Sequence, residues 1–566
     1  GCKTTLGVRA VSEGTEIIRA DNRDKSGING DFLCNKGRYA FDFANNEARL
    51  TQPMIRRERG GQLTPVSWEE ALTFAGNKLR ELRDTRGPQS LGVIGSNRTT
   101  NEENYLLQKF ARTVLGTNNI DHHRTADFVT LAAALQGASS EIQGGRFASQ
   151  RDVASAPAIL LVGGDPTNQA PLTGWNIRTN VRLRNARVYI ANTEEIKLRR
   201  QARAFVQVAP FAYGSFVSYL AGDDNSASAA SLSAQADELT NFRSAVSGEE
   251  SLVVLVGNEL RDGELARLVA ALPNAKFACL ADYVNSRGAS DMGLLPDMLP
   301  GYQPVANGGS AFPSEFNTPS TPGLDILAMF DAAQAGNLSA LYVVGSNPVA
   351  RFGVTPEALA NTFLIVQDLF LTDTAAIADV VLPAAMLYEK SGTVTNSYGD
   401  VQLVNKGADK GGTRPDFELI VRLADKMGHP IKSLVPFGRG LRADLGQSRG
   451  AQMGEADRHA IWLTAQNLEP KVSPFDPFAI LDEIQRVVPG YDKLLRLQLL
   501  SGNDQHLSPA NAGLVQISNA TSRKDLVLPS SDTLFTSGSL TKYSPMLLDV
   551  QKHQERIVAD HFAEAD

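Results

Sequence analysis

Cysteine is almost missing from this chain: among 566 residues there are only Cys2, Cys34 and Cys279. So few thiols exclude a disulfide framework and point to a reducing compartment. Long apolar runs are missing too, and none approaches the roughly 20 residues that cross a bilayer as a helix. No secretory signal is visible. Positive charge is not in excess: 55 Lys and Arg against 62 Asp and Glu leave a net charge of −7. That balance argues against a broad nucleic-acid-binding face, which needs clustered cations. The basic stretches at 178–187 and 197–203 are interrupted by apolar residues and read as solvated helix faces. Histidine is sparse, seven in all. No nucleophile–base–acid constellation can be assembled from them, so no catalytic residue is assigned.

What is present is length and pattern. A chain of 566 residues exceeds a single core and should divide into about three or four packing units. Short apolar runs recur: Leu91-Gly92-Val93-Ile94-Gly95, Ala158-Ile159-Leu160-Leu161-Val162-Gly163, Arg187-Val188-Tyr189-Ile190-Ala191 and Leu252-Val253-Val254-Leu255-Val256-Gly257. They continue at 276–280, 340–345 and 363–366. Such runs, ending in Gly, Asn or Asp, suit strands buried on both faces of a parallel sheet. Segments between them, such as Trp68 to Leu82 and Glu102 to Leu115, carry helical periodicity. The fold class is therefore α/β, with doubly wound parallel sheets.

Two strand ends resemble each other, Leu161-Val162-Gly163-Gly164-Asp165-Pro166 and Val343-Val344-Gly345-Ser346-Asn347-Pro348. Either a nucleotide-binding half is duplicated or both are efficient turns after a strand. Residues 222–250 read as a surface insertion or loose helix, 300–322 as a long crossing loop, and 549–566 as a charged helical tail.

Cys34 sits in Leu33-Cys34-Asn35-Lys36-Gly37-Arg38, and the chain opens Gly1-Cys2-Lys3 without an initiator Met. Iron–sulfur clusters take four thiolates, commonly three closely spaced and one distant. Cys2 and Cys34 read either as the last of such a trio and its distant partner, or as ordinary thiols. Glycines beside them allow tight wrapping of the backbone, and Lys36 would set a positive charge beside an anionic cluster.

The Cys34 segment, followed by Arg49-Leu50-Thr51-Gln52-Pro53-Met54-Ile55-Arg56 and Ser67-Trp68-Glu69-Glu70-Ala71, resembles the molybdopterin oxidoreductase superfamily. Thr100-Asn101-Glu102-Glu103-Asn104-Tyr105 and Gly116-Thr117-Asn118-Asn119-Ile120-Asp121 resemble the formate dehydrogenase large subunit. Thr372-Asp373-Thr374-Ala375, Ala378-Asp379-Val380-Val381-Leu382-Pro383-Ala384, Glu389 to Asn396 and Arg414-Pro415-Asp416-Phe417-Glu418 follow in the same order. The resemblance implies a [4Fe-4S] cluster held by Cys2 and Cys34, with Lys36 near it and the other two ligands before Gly1. It also implies, in catalytic relatives, a Cys or selenocysteine metal ligand shortly after the Asn-Asn-x-Asp stretch. This chain has Asp121-His122-His123-Arg124-Thr125-Ala126-Asp127 there, without Cys. Asp127 falls near the right place, His122 and His123 read as exposed helix-start residues, and Cys279 reads as core.

A scaffold retained without that ligand resembles the large iron–sulfur subunit of proton-pumping NADH:quinone oxidoreductase, respiratory complex I. That likeness implies an electron-relay and scaffold role, with molybdopterin not expected. Its partners would be the NADH-oxidising flavoprotein subunit and the peripheral-arm iron–sulfur subunits. No nucleic acid is involved, and the membrane is met only indirectly, from the cytoplasmic side of a bacterial inner membrane. The alternative is a catalytic molybdenum or tungsten bis-pterin oxidoreductase of the formate dehydrogenase type. The expected division is a small [4Fe-4S] unit at 1–60 and an α/β unit at 61–125 plus 346–430. A second α/β unit at 126–345 is inserted into it, and a helical region at 431–566 ends like a truncated dinucleotide-binding domain near Leu534 to Pro545.

Overall fold

The computed structural model describes residues 2–12, 14–22, 27–58, 60–137, 145–230, 236–307, 316–431, 476–507, 526–530, 533, 535, 538 and 540–563. Residues 432–475 and 508–525, expected to be polar and helical, and most of the segment 531–539 lie outside them.

Two sheets carry the molecule. The first has seven strands, with Leu91–Gly95 lying between Ile120–His122 and Ala340–Val344. Beyond Ala340–Val344 come Phe363–Asp368 and Val380–Pro383, all parallel, then Met54–Ile55 and Thr64–Pro65 as an antiparallel edge. The second sheet is five-stranded and wholly parallel, in the order Ala275–Cys279, Leu252–Val256, Ala158–Val162, Arg187–Asn192, Ala204–Gln207. Both are doubly wound, as continuous apolar strands require, because each strand must bury both faces.

Alternate residues serve opposite cores. In the first sheet Val93, Tyr342, Ile365 and Leu382 face one core, and Ile94, Val343, Val366 and Val381 the other. In the second, Leu160, Val162, Val254 and Cys279 face one side, while Ile159, Leu161 and Leu255 face the opposite side. The helix Trp68–Arg86 starts at Ser67, whose hydroxyl accepts the Glu70 N–H, and packs Ala71, Leu72, Ala75 and Leu79 onto the first core. The helix Pro477–Val487 adds Phe478, Ile480, Leu481 and Ile484 to that same core, so this late segment is structural.

Two expectations change. The strand Ala340–Val344, placed by the 345/346 boundary with the inserted unit, pairs with Leu91–Gly95 in the first sheet. The apolar runs of the two sheets are alike in kind, so sequence does not say which sheet a run joins. Within 222–250, the helix Ala236–Ser247 is not a loose surface element: Leu239, Phe242 and Val246 are buried in the core of the second sheet.

The N-terminal unit is a hairpin, Thr5–Val11 against Gly14–Asp21, followed by the short helix Asn35–Tyr39 and a 3-10 turn Ala40–Ala44. Ile17, Ala20, Phe41 and Ala44 close over Met386 and Ala408, which ties the unit to the first sheet's C-terminal side.

Candidate functional site

Two places gather chemistry. The first is the pair of N-terminal cysteines. Cys34 is the residue before the helix Asn35–Tyr39, extended at φ −74°, ψ 172°, with its carbonyl accepting the Arg38 N–H at 3.0 Å. Cys2 is brought to it by Asn29, a buried residue that sequence reasoning passed over. The Asn29 carboxamide accepts the Lys3 N–H at 2.8 Å and donates to the carbonyls of Lys3 at 2.9 Å and Phe32 at 2.8 Å. One side chain thus ties the Cys2-Lys3 strand to the Phe32-Leu33-Cys34 segment. The only signal for it was an Asn in a Gly-Ile-Asn-Gly turn.

The Cys2 thiol is raised above its ordinary value, by the desolvation around it first, against the opposing charge of the chain's amino terminus, and then by Cys34. The half-buried Tyr388 is raised by desolvation and then by Cys34. Beside Tyr388, Glu389 makes a buried bidentate pair with Arg49, at 2.8 and 3.0 Å. Lys36 lies half-buried in the first turn after Cys34. Cys279 lies in the second sheet's core. Two thiols from this chain therefore fit half of a four-thiolate cluster.

The second place is the crevice outside the carboxyl ends of the strands, where chain order reverses in each sheet. In the first sheet the reversal falls between Leu91–Gly95 and Ala340–Val344. Gly345 there has φ +55°, and a Cβ on it would stand 2.9 Å from the Ser96 hydroxyl, which donates to the Gly345 carbonyl at 2.8 Å. In the second sheet it falls between Ala158–Val162 and Leu252–Val256. There Gly164 (φ +67°) donates its N–H to Glu259 at 3.1 Å.

The two resembling strand ends occupy these equivalent points. Each turns through a left-handed Gly and enters a short helix with Pro at its first position, Pro166–Gln169 and Pro348–Phe352. Asp165 accepts from the Thr167 N–H at 2.9 Å, and Asn347 accepts from Thr374 at 3.1 Å, so the second helix is tied to a neighbour rather than capped by its own Asn.

The crevices face one another. Arg98 lies over the Tyr283 ring at 4.5 Å, and His123 packs near-perpendicular to the same ring with centroids 5.1 Å apart. Tyr283 holds a left-handed backbone (φ +67°), a strain that must be maintained by its surroundings. The segment 526–530 threads between the two sides. Its Leu528 N–H donates to Arg124 at 2.9 Å, and its carbonyls accept from Asn258 at 3.1 Å and Arg261 at 3.0 Å. Ser530 donates to Asp282 at 2.7 Å.

The residues after Asn118-Asn119-Ile120-Asp121 are not exposed, nor do His122 and His123 start a helix. His122 ends a strand, with Nδ1 at 2.8 Å from the Leu294 carbonyl, and burial pushes its pKa down to about 3. Asp121 accepts from the His122 and Ile326 N–H groups, and burial pushes it up to about 6. Asp127 caps the helix Phe128–Gly137 by accepting the Thr130 N–H at 3.0 Å. His123 is left over: it is buried, and neither ring nitrogen has a hydrogen-bond partner among the described residues. Burial, with Arg98 nearby, holds it well below the usual range, so it is neutral. Glu259 Oε2 and Gln169 Oε1 are likewise buried and unpartnered at the crevice. A crevice with such leftover polar atoms fits a polar ligand. A thiolate donor for a metal is missing from it, and among the described residues no group of three His, Cys, Asp or Glu side chains is arranged to hold a metal.

Comparison with known proteins places this geometry among relatives. A family model described as molybdopterin oxidoreductase matches residues 49–426. An NADH-quinone oxidoreductase subunit of Rhizobium meliloti is 34% identical over 72% of this chain and 50% of its own length. Formate dehydrogenase H of Escherichia coli is 28% identical over 76% of this chain and 67% of its own. The NADPH-Fe(3+) oxidoreductase subunit alpha of Geobacter sulfurreducens is 26% identical over 97% of this chain and 64% of its own. The chain thus spans about half the length of the Rhizobium relative. Among solved structures, acetylene hydratase from Pelobacter acetylenicus superposes with a TM-score of 0.57 at 15% identity, over 75% of this chain and 68% of its own, a likeness of fold.

Proposed function

The chain belongs to the molybdopterin oxidoreductase family, and from that premise we propose that it is an electron-relay and scaffold subunit of an NADH:quinone oxidoreductase assembly. In this reading Cys2 and Cys34 supply two ligands of a [4Fe-4S] cluster.

The observation that carries the reading is the Asn29 clamp, which sets Cys34 against Cys2 although 31 residues separate them in sequence. The cluster, when bound, supplies a site that takes and gives one electron. The chain's own residues hold and shield it. Ile17, Phe41 and Met386, with half-buried Tyr388 against them, form the small core of the unit that carries the thiols. Lys36 brings a positive charge within a turn of Cys34, which favours the electron-rich state of an anionic group. The rest of the body acts as a rigid α/β support. The Rhizobium relative at 34% identity supports the same reading. Partner subunits and a peripheral place on the cytoplasmic face of the membrane belong to the proposal. Consistent with a peripheral place, no described helix is long and apolar enough to cross a membrane.

The test is electron paramagnetic resonance on the anaerobically reduced full-length protein. A cluster signal that disappears in Cys34→Ser is expected, and a signal that survives the change sinks the proposal.

A second reading, a catalytic molybdenum or tungsten bis-pterin oxidoreductase of the formate dehydrogenase type, is favoured by the crevice. Unpartnered His123, Glu259 and Gln169 atoms there suit a polar ligand, and formate dehydrogenase H is 28% identical. Elemental analysis separates the two readings: stoichiometric molybdenum or tungsten establishes the second.

A further inference from the structure

Beside the cysteines the surface carries an aromatic pair that stays largely open to solvent. Phe32 and Trp175 lie with ring centroids 4.5 Å apart and planes tilted by 38°, yet both stay at the surface, 52% and 41% exposed. Phe32 lies two residues before Cys34, and its carbonyl is held by the same Asn29 that holds Lys3. Trp175 lies on the helix Pro171–Arg184 of the second sheet, so the pair bridges the cysteine unit and that sheet's outer layer.

Arg178 and Arg182 stand three and seven residues beyond Trp175, on the same side of the helix. Both are exposed, and neither forms an ion pair among the described residues. The neighbouring helix Gln150–Ser155, tied to this one through Asn180 to the Val153 carbonyl, adds exposed Arg151. Acidic side chains are close in sequence too, exposed Asp31 before Phe32 and Asp152 after Arg151, the latter paired with Lys276. On a chain of net charge −7 this is a local reversal of sign. Exposed Trp and Arg together are the residue types that dominate binding hot spots. Unpaired cations around them steer an oppositely charged partner.

We propose that Phe32, Trp175, Arg178 and Arg182 form a docking surface for an acidic protein carrying a one-electron centre. The proposal rests on the relay reading, because its meaning comes from the surface lying beside Cys34. A partner seated on Phe32 brings its own centre to the side of the molecule where the two thiols lie. Nucleic acid fits less well, since three arginines on two helices make too short a stripe to follow a phosphate backbone.

The test measures binding of the full-length protein to a plant-type [2Fe-2S] ferredoxin, a small acidic one-electron carrier, by surface plasmon resonance at several salt concentrations. The double variant R178E/R182E should weaken binding by about tenfold or more, chiefly by slowing association, with the difference shrinking as salt rises. Trp175→Ala should weaken it by about tenfold or more. Arg86→Glu, the same charge change on the helix Trp68–Arg86, should leave it unchanged. No binding, binding indifferent to R178E/R182E, or binding indifferent to salt overturns the proposal. So does duplex DNA that binds with the same dependence on the two arginines. Docking is read without the cluster, so a lost resonance signal with docking intact sinks the relay reading alone. Lost docking with the signal intact sinks the surface alone.

Discussion

Asn29 does more for the candidate cluster site than any residue the motif contains, since it holds the chain on both sides of the gap between Cys2 and Cys34. Replacing it with Ala leaves a Lys3 N–H and two carbonyls without that partner, a loss of about 1–3 kcal/mol in local order. Asn29→Ala should therefore broaden or remove the resonance signal without unfolding the molecule, checked by comparing the spectrum with the melting curve. An unchanged spectrum rejects the clamp. Glu102 offers a second residue-scale expectation. Buried, and accepting from the Thr393 N–H at 2.8 Å and hydroxyl at 2.7 Å, it is pushed by burial from 4.5 up to about 7. Its folded form thus holds a proton that the unfolded chain releases, so its contribution is full below pH 4.5 and is lost as pH rises through about 7. Glu102→Gln should make the fall in stability between pH 5 and 8 shallower by up to roughly 3 kcal/mol, measured by denaturant unfolding across that range. A fall of unchanged depth rejects this assignment.

The helix Asn101–Lys109 shows what pattern reading reaches and where it stops. Its start is set by a capping box that Thr100 and Glu103 form, and its periodicity was legible from Glu102 onward. Its burial was not, because all nine residues are enclosed, including Asn101, Glu102, Glu103 and Lys109. Their partners come from far along the chain. Asn101 donates to Thr393 and Thr395, Lys109 pairs with Glu483, and Glu103 meets Lys390 at 2.7 Å. Lys390 also pairs with Asp416. Burial alone would lower the lysine, but Asp416 and Glu103 hold it above its ordinary value and therefore charged. Lys390→Met would strand two carboxylates in the core, at a cost of about 3–5 kcal/mol. The expected result is a large drop in melting temperature, and a drop no greater than that of a surface lysine variant contradicts it. The same distance in sequence hid the environment of His122 and His123, whose walls come from Leu294, Ser290 and Tyr283. The strands, by contrast, were legible one by one, because burial on both faces demands uninterrupted apolar residues in each.

At the scale of the whole molecule, the first sheet's core is completed late. Phe478, Ile484, Tyr491 and Leu499 are part of the first sheet's core, so a chain ended after Ile431 should lose cooperative unfolding, followed by hydrogen exchange. Protection of the 91–95 and 340–344 amides equal to that of the full chain would show otherwise. The segment 526–530 then ties Arg124 to Asn258 and Arg261 across the crevice. Further on, Ser544 donates to Asp42, and Tyr543 stacks on Phe370 at 3.6 Å, bracing the cysteine unit. During synthesis the ribosome releases this strap only after both half-crevices have emerged. The crossing of the crevice is therefore the last of its contacts that synthesis can supply, since 526–530 follows Arg124, Asn258 and Arg261 in chain order.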